Sequence, residues 1–374
     1  MKFLHTSDWQ IGMSAAHVGE AGDRVRRERL RAAERVVAAA RDANVEFLLL
    51  AGDTFEHNGV DRPSVQQVGD ILAAAGRPVF LIPGNHDPLT PGSVWEHPVW
   101  QAADLHVLRA AEVVDVGSAK LFPCPLVEAH SRRDPTLWIT PDDGNAIRIG
   151  VAHGSVEGAG EDLDYPIARN AAERAGLDYL ALGHWHSYTA FADAQGTVRM
   201  AYSGTHETTK FGERESGDAL ILEIASHGAA PLIQPVRTGG LAWRDIVRDL
   251  RTAGQVDEVL SEIDGIERPD SALVRIRLTG IIFAADLPKL RQLRDIMDSN
   301  RFLFARMDDS GLRPAPEDAA WVDALPDGIL REAALRLREL SDPAFPGARP
   351  ASTTAETAAN ALIELYSLAQ EVSE

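Results

Sequence analysis

Pro83-Gly84-Asn85-His86-Asp87 is the stretch on which the reading of this chain turns. It follows Pro78-Val79-Phe80-Leu81-Ile82, an apolar run of the length and β-branched content of a buried strand. The strand stops at a glycine, and an amide, an imidazole and a carboxylate follow at once. Unpaired polar groups are costly inside a protein. Three in a row at a strand end therefore call for partners, and a metal ion with its substrate is the simplest set.

Working outward, four more apolar runs end the same way. Lys2–Ser7 runs into Asp8-Trp9-Gln10, and Val45–Ala51 into Gly52-Asp53-Thr54-Phe55. Ile147–Ala152 runs into His153-Gly154, and Tyr179–Leu182 into Gly183-His184-Trp185-His186. Helical spacing of apolar residues predicts helices over about 23–43, 63–75 and 168–175. Short strands are expected near Val107 and Val113, and further strands over 198–202 and 219–224. Strands alternating with helices indicate an α/β core. In open α/β sheets, sites form outside the carboxyl ends of the strands. Any one of these groups alone reads as an ordinary structural residue; five strands delivering such groups at the same end do not.

The chain has 374 residues, enough for two or three domains, with 45% hydrophobic and 25% charged residues. No run approaches the roughly 18 apolar residues of a membrane span. The N-terminal residues turn polar too soon for a signal peptide. The single cysteine, Cys124, permits no intrachain disulfide. A cytoplasmic protein is expected, with Cys124 an inert thiol. The net charge of −19 argues against a protein that coats nucleic acid over its whole surface. The basic run Arg24-Val25-Arg26-Arg27-Glu28-Arg29-Leu30-Arg31 reads as a solvated helix face.

The strand-end groups comprise carboxylates, amides and imidazoles. Mixed nitrogen and oxygen donors suit Mn, Fe or Zn rather than Mg or Ca. They are too many for one ion and about enough for two. A carboxylate such as Asp53 can bridge two ions about 3.5–4 Å apart, which activate a shared water and clamp an in-line displacement at phosphorus. A remaining imidazole is then free to act as general acid.

These residues carry a resemblance. Asp8-Trp9-Gln10, Gly52-Asp53, Gly84-Asn85-His86-Asp87, His153-Gly154 and Gly183-His184-Trp185-His186 resemble, in order and spacing, the motifs of the calcineurin-like metallophosphoesterases. Leu4-His5-Thr6-Ser7-Asp8, and Tyr202-Ser203-Gly204-Thr205 with Phe211-Gly212-Glu213, look like the branch of Mre11/SbcD-type DNA repair nucleases and their YhaO-like relatives. The resemblance implies two packed β-sheets flanked by helices. It implies a first ion among Asp8, Gln10, Asp53 and His186, and a second among Asp53, Asn85, His153 and His184. His86 would protonate the leaving oxygen, and Asp87 would orient a histidine. The ions implied are divalent, manganese by resemblance.

One position departs from the pattern. Gln10 stands where the family has histidine, and a neutral amide oxygen is a weaker donor for such ions than imidazole. The first ion is expected to bind more weakly. His206 is expected to be a plain surface residue.

The domain reading is a phosphoesterase domain over 1–228, a small α+β cap over 229–312, and a Pro-rich segment with amphipathic helices over 313–374. In the cap, a helix near 256–263, an alternating strand over 272–278, a helix near 287–299 and a strand near 302–305 are expected. Arg275 and Arg277 lie on the polar side of the alternating strand, as a solvated face. Two apolar stripes mark the tail, Leu330-Ala333-Ala334-Leu337 and Ala358-Leu362-Leu365-Tyr366-Ala369-Val372, the second behind a capping box of Thr353 and Glu356. They either fold back on the cap or dock a partner helix. The resemblance favours the second, the coiled-coil base of an SMC-like ATPase, and implies a possible homodimer. The leading expectation is a metal-dependent DNA exo- or endonuclease working with that ATPase. The alternatives are a phosphoesterase for nucleotides or other small substrates, and a DNA- or ATPase-binding subunit in which Gln10 has ended cleavage.

Overall fold

The computed structural model describes residues 1–158, 164–316 and 319–373 and divides into two compact units, Met1–Leu241 and Ala242–Glu374. In the first unit the elements run β1 (Lys2–Thr6), α1 (Gly22–Asp42), β2 (Phe47–Ala51), α2 (Arg62–Ala73), β3 (Val79–Ile82), β4 (Leu105–Val107), β5 (Val114–Val116), β6 (Ala119–Cys124), β7 (Ile147–His153), α3 (Ala171–Arg174), β8 (Tyr179–Gly183), β9 (Thr189–Ala192), β10 (Val198–Tyr202), β11 (Asp218–Glu223) and β12 (Leu232–Arg237). They form two six-stranded sheets, β12-β11-β1-β2-β3-β4 and β5-β6-β7-β8-β10-β9. Within the first, β1 to β4 are parallel, and within the second β6, β7, β8 and β10 are parallel.

The alternation of side chains along each strand builds the layers. Phe47, Leu49 and Ala51 of β2 face Ile149, Val151 and Ala181 of the second sheet in the central core. Leu48 and Leu50 point the other way, onto Val36, Val37 and Ala40 of α1 and Val65, Val68 and Leu72 of α2. Phe122, Leu180, Leu182 and Met200 cover the outer side of the second sheet against the residues around α3. The mixed α/β sandwich flanked by helices is therefore the fold that the sequence indicated. Sequence reading placed a helix over 168–175 where only one turn, α3, forms, and it overlooked β6.

One polar pair crosses the central core. His5 Nδ1 of β1 lies 3.0 Å from the Tyr179 hydroxyl of β8, both side chains fully buried. Burial pushes the His5 pKa down to about 3, so the ring is neutral and the bond carries no net charge.

In the second unit, β13 (Ala242–Leu250), α4 (Gln255–Asp264), β14 (Ala272–Ile282), α5 (Leu287–Asp298) and β15 (Phe304–Pro314) precede the helices α6 (Trp321–Ala324), α7 (Ile329–Ser341) and α8 (Ala355–Ser373). The three strands are all parallel, in the order β13-β14-β15. This βαβαβ arrangement corrects the expectation of an α+β unit. Sequence reading missed β13 because its charged residues hide the pattern: only Ile246 and Leu250 are buried among Arg244, Asp245, Arg248 and Asp249. Ile246, Val274, Ile276 and Leu278 pack on Val256, Val259 and Leu260 of α4 and on Leu290 and Leu293 of α5. On the polar side Arg275 pairs with Asp245 at 2.5 and 2.8 Å.

The boundary between the units lies at 241/242 rather than 228/229. β12 pairs along its whole length with β11 and so belongs to the first sheet. The tail stripes meet each other: Ala334 of α7 and Leu362 of α8 share a small core with Val322 of α6. Ile329 and Leu330 remain exposed. The start of α8 is capped reciprocally by Thr354 and Thr357, each hydroxyl accepting from the other's backbone N–H (2.8 and 3.1 Å), and not by Thr353 and Glu356. No helix of the described residues is long and apolar enough to cross a membrane.

Replacing Tyr179 by Phe leaves the His5 nitrogen buried without its partner. A loss of roughly 1–3 kcal/mol in urea unfolding is expected, at unchanged spectroscopic secondary structure.

Candidate metal centre

Each predicted donor sits where a parallel strand ends. Asp8 and Gln10 follow β1, Asp53 follows β2, and Asn85, His86 and Asp87 follow β3. His153 closes β7, and His184 and His186 follow β8. The chain turns sharply at these points. Asp8 (φ 54°), Gln10 (φ 41°), Asp53 (φ 51°) and His184 (φ 117°) are four of the nine non-glycine residues with left-handed φ among the described residues. Such conformations cost about 1–3 kcal/mol each and gather where a site imposes them. Glycines supply the clearance: a Cβ on Gly84 would sit 2.1 Å from Asp53 Oδ1, and one on Gly52 2.4 Å from His153 Nδ1.

The donors converge. Ligand atoms of Asp8, Asp53 and His153, all buried, lie within 4.8 Å of one another. His153 Nε2 is 3.3 Å from Asp53 Oδ2 and 2.8 Å from Asn85 Oδ1, and His184 Nδ1 is 3.1 Å from the same amide oxygen. The His184 N–H donates to both Asp8 oxygens, at 3.0 and 3.1 Å, which links the two sheets across the site. Gln10 is buried and donates its N–H to the Asp53 carbonyl at 3.0 Å.

Two imidazoles are oriented from behind. His153 Nδ1 meets the Ala51 carbonyl at 2.8 Å, which leaves Nε2 to face the carboxylates. His186 Nδ1 meets Glu213 Oε1 at 2.7 Å. Metal-ligating histidines are held in this way, the second ring nitrogen bonded to a carbonyl or carboxylate. Buried carboxylates, an amide oxygen and oriented imidazoles fit divalent cations of the Mn, Fe or Zn type.

His86 and Asp87 stand apart from this cluster. The His86 side chain is 39% exposed, with Nδ1 3.0 Å from the Glu56 carbonyl and Nε2 4.0 Å from Asp53 Oδ2. Asp87 was expected to orient a histidine. Instead it accepts the N–H groups of Gly84 (2.7 Å) and Phe55 (3.0 Å), so it latches the β2 and β3 loops together.

The cluster holds charge at a cost. Burial works to raise the Asp53 pKa, but the neighbouring His153 outweighs it and holds the carboxyl at about 2. Burial would lower His153, yet Asp53 and Asp8 raise it to about 9. Burial raises the Asp8 carboxyl against the pull of His153 and His186. Burial and the Asp53 charge push Asp87 up to about 7. His186 is raised because Glu213 and Asp8 overcome its burial.

The end of β10 and the residues after it, visible in the sequence only through the resemblance, brace the site. The Tyr202 hydroxyl donates to the Gly154 carbonyl and accepts from the Val156 N–H, both at 2.7 Å. Ser203 Oγ is 2.8 Å from Ser7 Oγ, Thr205 Oγ1 donates to the Asp8 carbonyl at 2.7 Å, and Glu213 holds His186. Polar residues after a strand that leads to no donor of its own were the available signal. His206 is not on the surface: it is fully buried, stacked on Trp9 with ring centroids 4.9 Å apart, and donates from Nε2 to the Arg29 carbonyl at 2.9 Å. A neutral imidazole with one bond made is tolerated there, and burial holds its pKa well below the usual value.

A two-sheet α/β sandwich with such donors at its strand ends defines a metal-dependent hydrolase. Residues 1–188, just over half of the chain, match the family model of the calcineurin-like phosphoesterases, and the chain belongs to that family. It is 35% identical over 286 residues to the DNA double-strand break repair protein Mre11 of Haloferax volcanii, covering 75% of this chain and 61% of that protein. It is 23% identical over 238 residues to the uncharacterized metallophosphoesterase YhaO of Bacillus subtilis, covering 58% of this chain and 55% of that one. The chain thus spans less than two thirds of the length of these curated relatives. Among solved structures, TT1561 of Thermus thermophilus aligns with a TM-score of 0.41 at 13% identity, over 63% of this chain and 99% of that one.

His153 is raised in the folded state above its ordinary 6.5, so its contribution to stability is present below pH 6.5 and is lost as pH rises through 9. Metal-free protein should lose stability between pH 7 and 9 in denaturant titrations, and His153→Gln should flatten that slope. Bound metal must displace the same proton, so apparent metal affinity should rise over this interval. Glu213→Gln should weaken metal binding about 10–100-fold by calorimetry.

Proposed function

We propose that this protein is a metal-dependent phosphodiesterase acting on DNA, a nuclease of DNA repair or processing. The observation that carries this reading is the placement of His86 beside the donor cluster. Its backbone N–H is bound by Asp53 Oδ1 at 3.0 Å, its Nδ1 is committed to Glu56, and its Nε2 is left at an exposed edge where a leaving oxygen can be met. The 35% identity to the Mre11 protein supports DNA as the substrate.

In this reading Asp8, Gln10, Asp53 and His186 hold one divalent ion and Asp53, Asn85, His153 and His184 a second. Bound there, two ions of the manganese type supply charge to neutralise the phosphoryl oxygens and activate water. The protein's own residues do the rest. Asp53 fixes the position of His86 through its N–H, His86 gives a proton from Nε2 to the departing oxygen, and Asp87 keeps the β2 and β3 loops at constant spacing. Gln10 offers a neutral oxygen where an imidazole would bind more strongly, so the Asp8 side is the weaker half. The second unit is read as a nuclease-type cap domain. α7 and α8, with Ile329 and Leu330 exposed, are read as the docking segment for an SMC-like coiled-coil ATPase. A homodimer through the first unit completes this assembly.

Labelled single- and double-stranded DNA should be cut by the unaltered protein with Mn²⁺. Gln10→His should cut at lower Mn²⁺. His86→Ala should lose about 10²–10⁴-fold in rate while still binding metal. Hydrolysis of a small diester with no DNA cut under any condition would reject DNA as substrate, and cleavage confined to Gln10→His would make the natural chain a non-cleaving subunit.

A further inference from the structure

Among the arginines of the basic run over residues 24–31, one is buried. Arg29 is 1% exposed, although Arg26, Arg27 and Arg31 are open to solvent on the same helix. Its guanidinium donates from Nε to the Trp9 carbonyl at 3.0 Å, and from Nη2 to that same oxygen. Nη2 also reaches the Asp8 carbonyl and Thr205 Oγ1, each at 3.3 Å, and Nη1 donates to the Glu207 carbonyl at 2.8 Å. Each of these acceptors is a neutral oxygen. Burying a cation on neutral acceptors is expensive, and burial pulls the Arg29 pKa down to about 10 even with Glu207, Glu213, Glu56 and Asp8 countering it.

What that cost secures is chiefly the backbone of the loop after β1. Two of the three carbonyls that Arg29 holds belong to Asp8 and Trp9, the third to Glu207, and Asp8 and Gln10 both lie in left-handed conformations. Thr205 Oγ1 reinforces the Asp8 carbonyl at 2.7 Å, and His206 closes the assembly by stacking on Trp9 and donating to the carbonyl of Arg29 itself. The other half of the centre is held differently, by His153 on Ala51, by Asp53 on the His86 N–H, and by Asn85 between two imidazoles. A planar fork with five donors holds several carbonyls in one fixed arrangement; an ammonium group has three donors and no such fork.

We infer that Arg29 is a positioning residue for the Asp8–Gln10 half of the metal centre, holding the Asp8 and Trp9 carbonyls of the loop that carries both donors, while the Asp53–Asn85–His153–His184 half is held by contacts that do not involve Arg29. This rests on the two-ion reading above.

Mn²⁺ binding to the full chain tests it, by calorimetry and by the spin-coupled signal of paired Mn²⁺ in electron paramagnetic resonance. Arg29→Lys keeps the charge and loses the fork. It should weaken the weaker ion about 10–100-fold and abolish the coupled signal, leaving the tighter ion within about twofold. Thr205→Val should act in the same direction with a smaller effect. Asn85→Ala, as control, should weaken the tighter ion. Equal loss of both ions in Arg29→Lys, or no change in either, overturns the inference. So does unfolding of both Arg29→Lys and Thr205→Val by circular dichroism, because Arg29 would then serve the fold at large. If the unaltered protein binds a single ion, the two-ion reading fails and takes this inference with it; if it binds two, only the inference is at stake.

Discussion

Two carboxylates, Asp8 and Asp53, are kept almost fully out of water at the ends of adjacent parallel strands, facing one histidine, His153, from the opposite sheet. Everything around the site answers that constraint. Buried like charges repel, and each carries a desolvation cost of several kcal/mol unless a cation or a proton compensates. In the metal-free chain His153 supplies the compensation by remaining protonated well above its usual range. The same arrangement suits a divalent cation, which would take the place of that proton and compensate the carboxylates.

The sandwich makes this arrangement possible. Donors from β1, β2 and β3 come from one sheet and donors from β7 and β8 from the other, so the spacing of the sheets sets the spacing of the ligands. That spacing is fixed by the apolar core between them and by polar pins. His5 to Tyr179 crosses the centre of the core, and the His184 N–H to Asp8 crosses at the site. The end of β10 and the loop after it then brace these strand ends, with Tyr202 bonded to Gly154, Thr205 to Asp8 and Glu213 to His186. The candidate site, gathered from five strand ends, is held by contacts that lie far apart in sequence.

The second unit is built on a parallel three-stranded sheet on which α4 and α5 pack. Its charged β13 escaped sequence reading for the reason that its neighbour β14 did not. β14 alternates Val274, Ile276 and Leu278 with polar residues, whereas β13 places just two apolar residues on its buried side. The amphipathic stripes of α7 and α8 could be read as stripes, but their mutual burial could not, since an apolar face does not name what covers it.

The sequence by itself determined the α/β class and where the candidate donors lie along the chain, because a buried strand that ends abruptly in polar residues leaves a mark within a few positions. It also marked Gln10 as the departure from the pattern of the family it resembles. Only the tertiary structure decided which groups meet. Asp87 binds two backbone amides instead of a histidine, His206 lies under Trp9 instead of in solvent, and Arg29 turns inward from a helix whose Arg26, Arg27 and Arg31 are exposed. The physical reason is common to all three. A polar side chain chooses its partner among backbone groups that come within reach only after the chain has folded, and those carbonyls and amides are the same at every residue, so the sequence carries no trace of them.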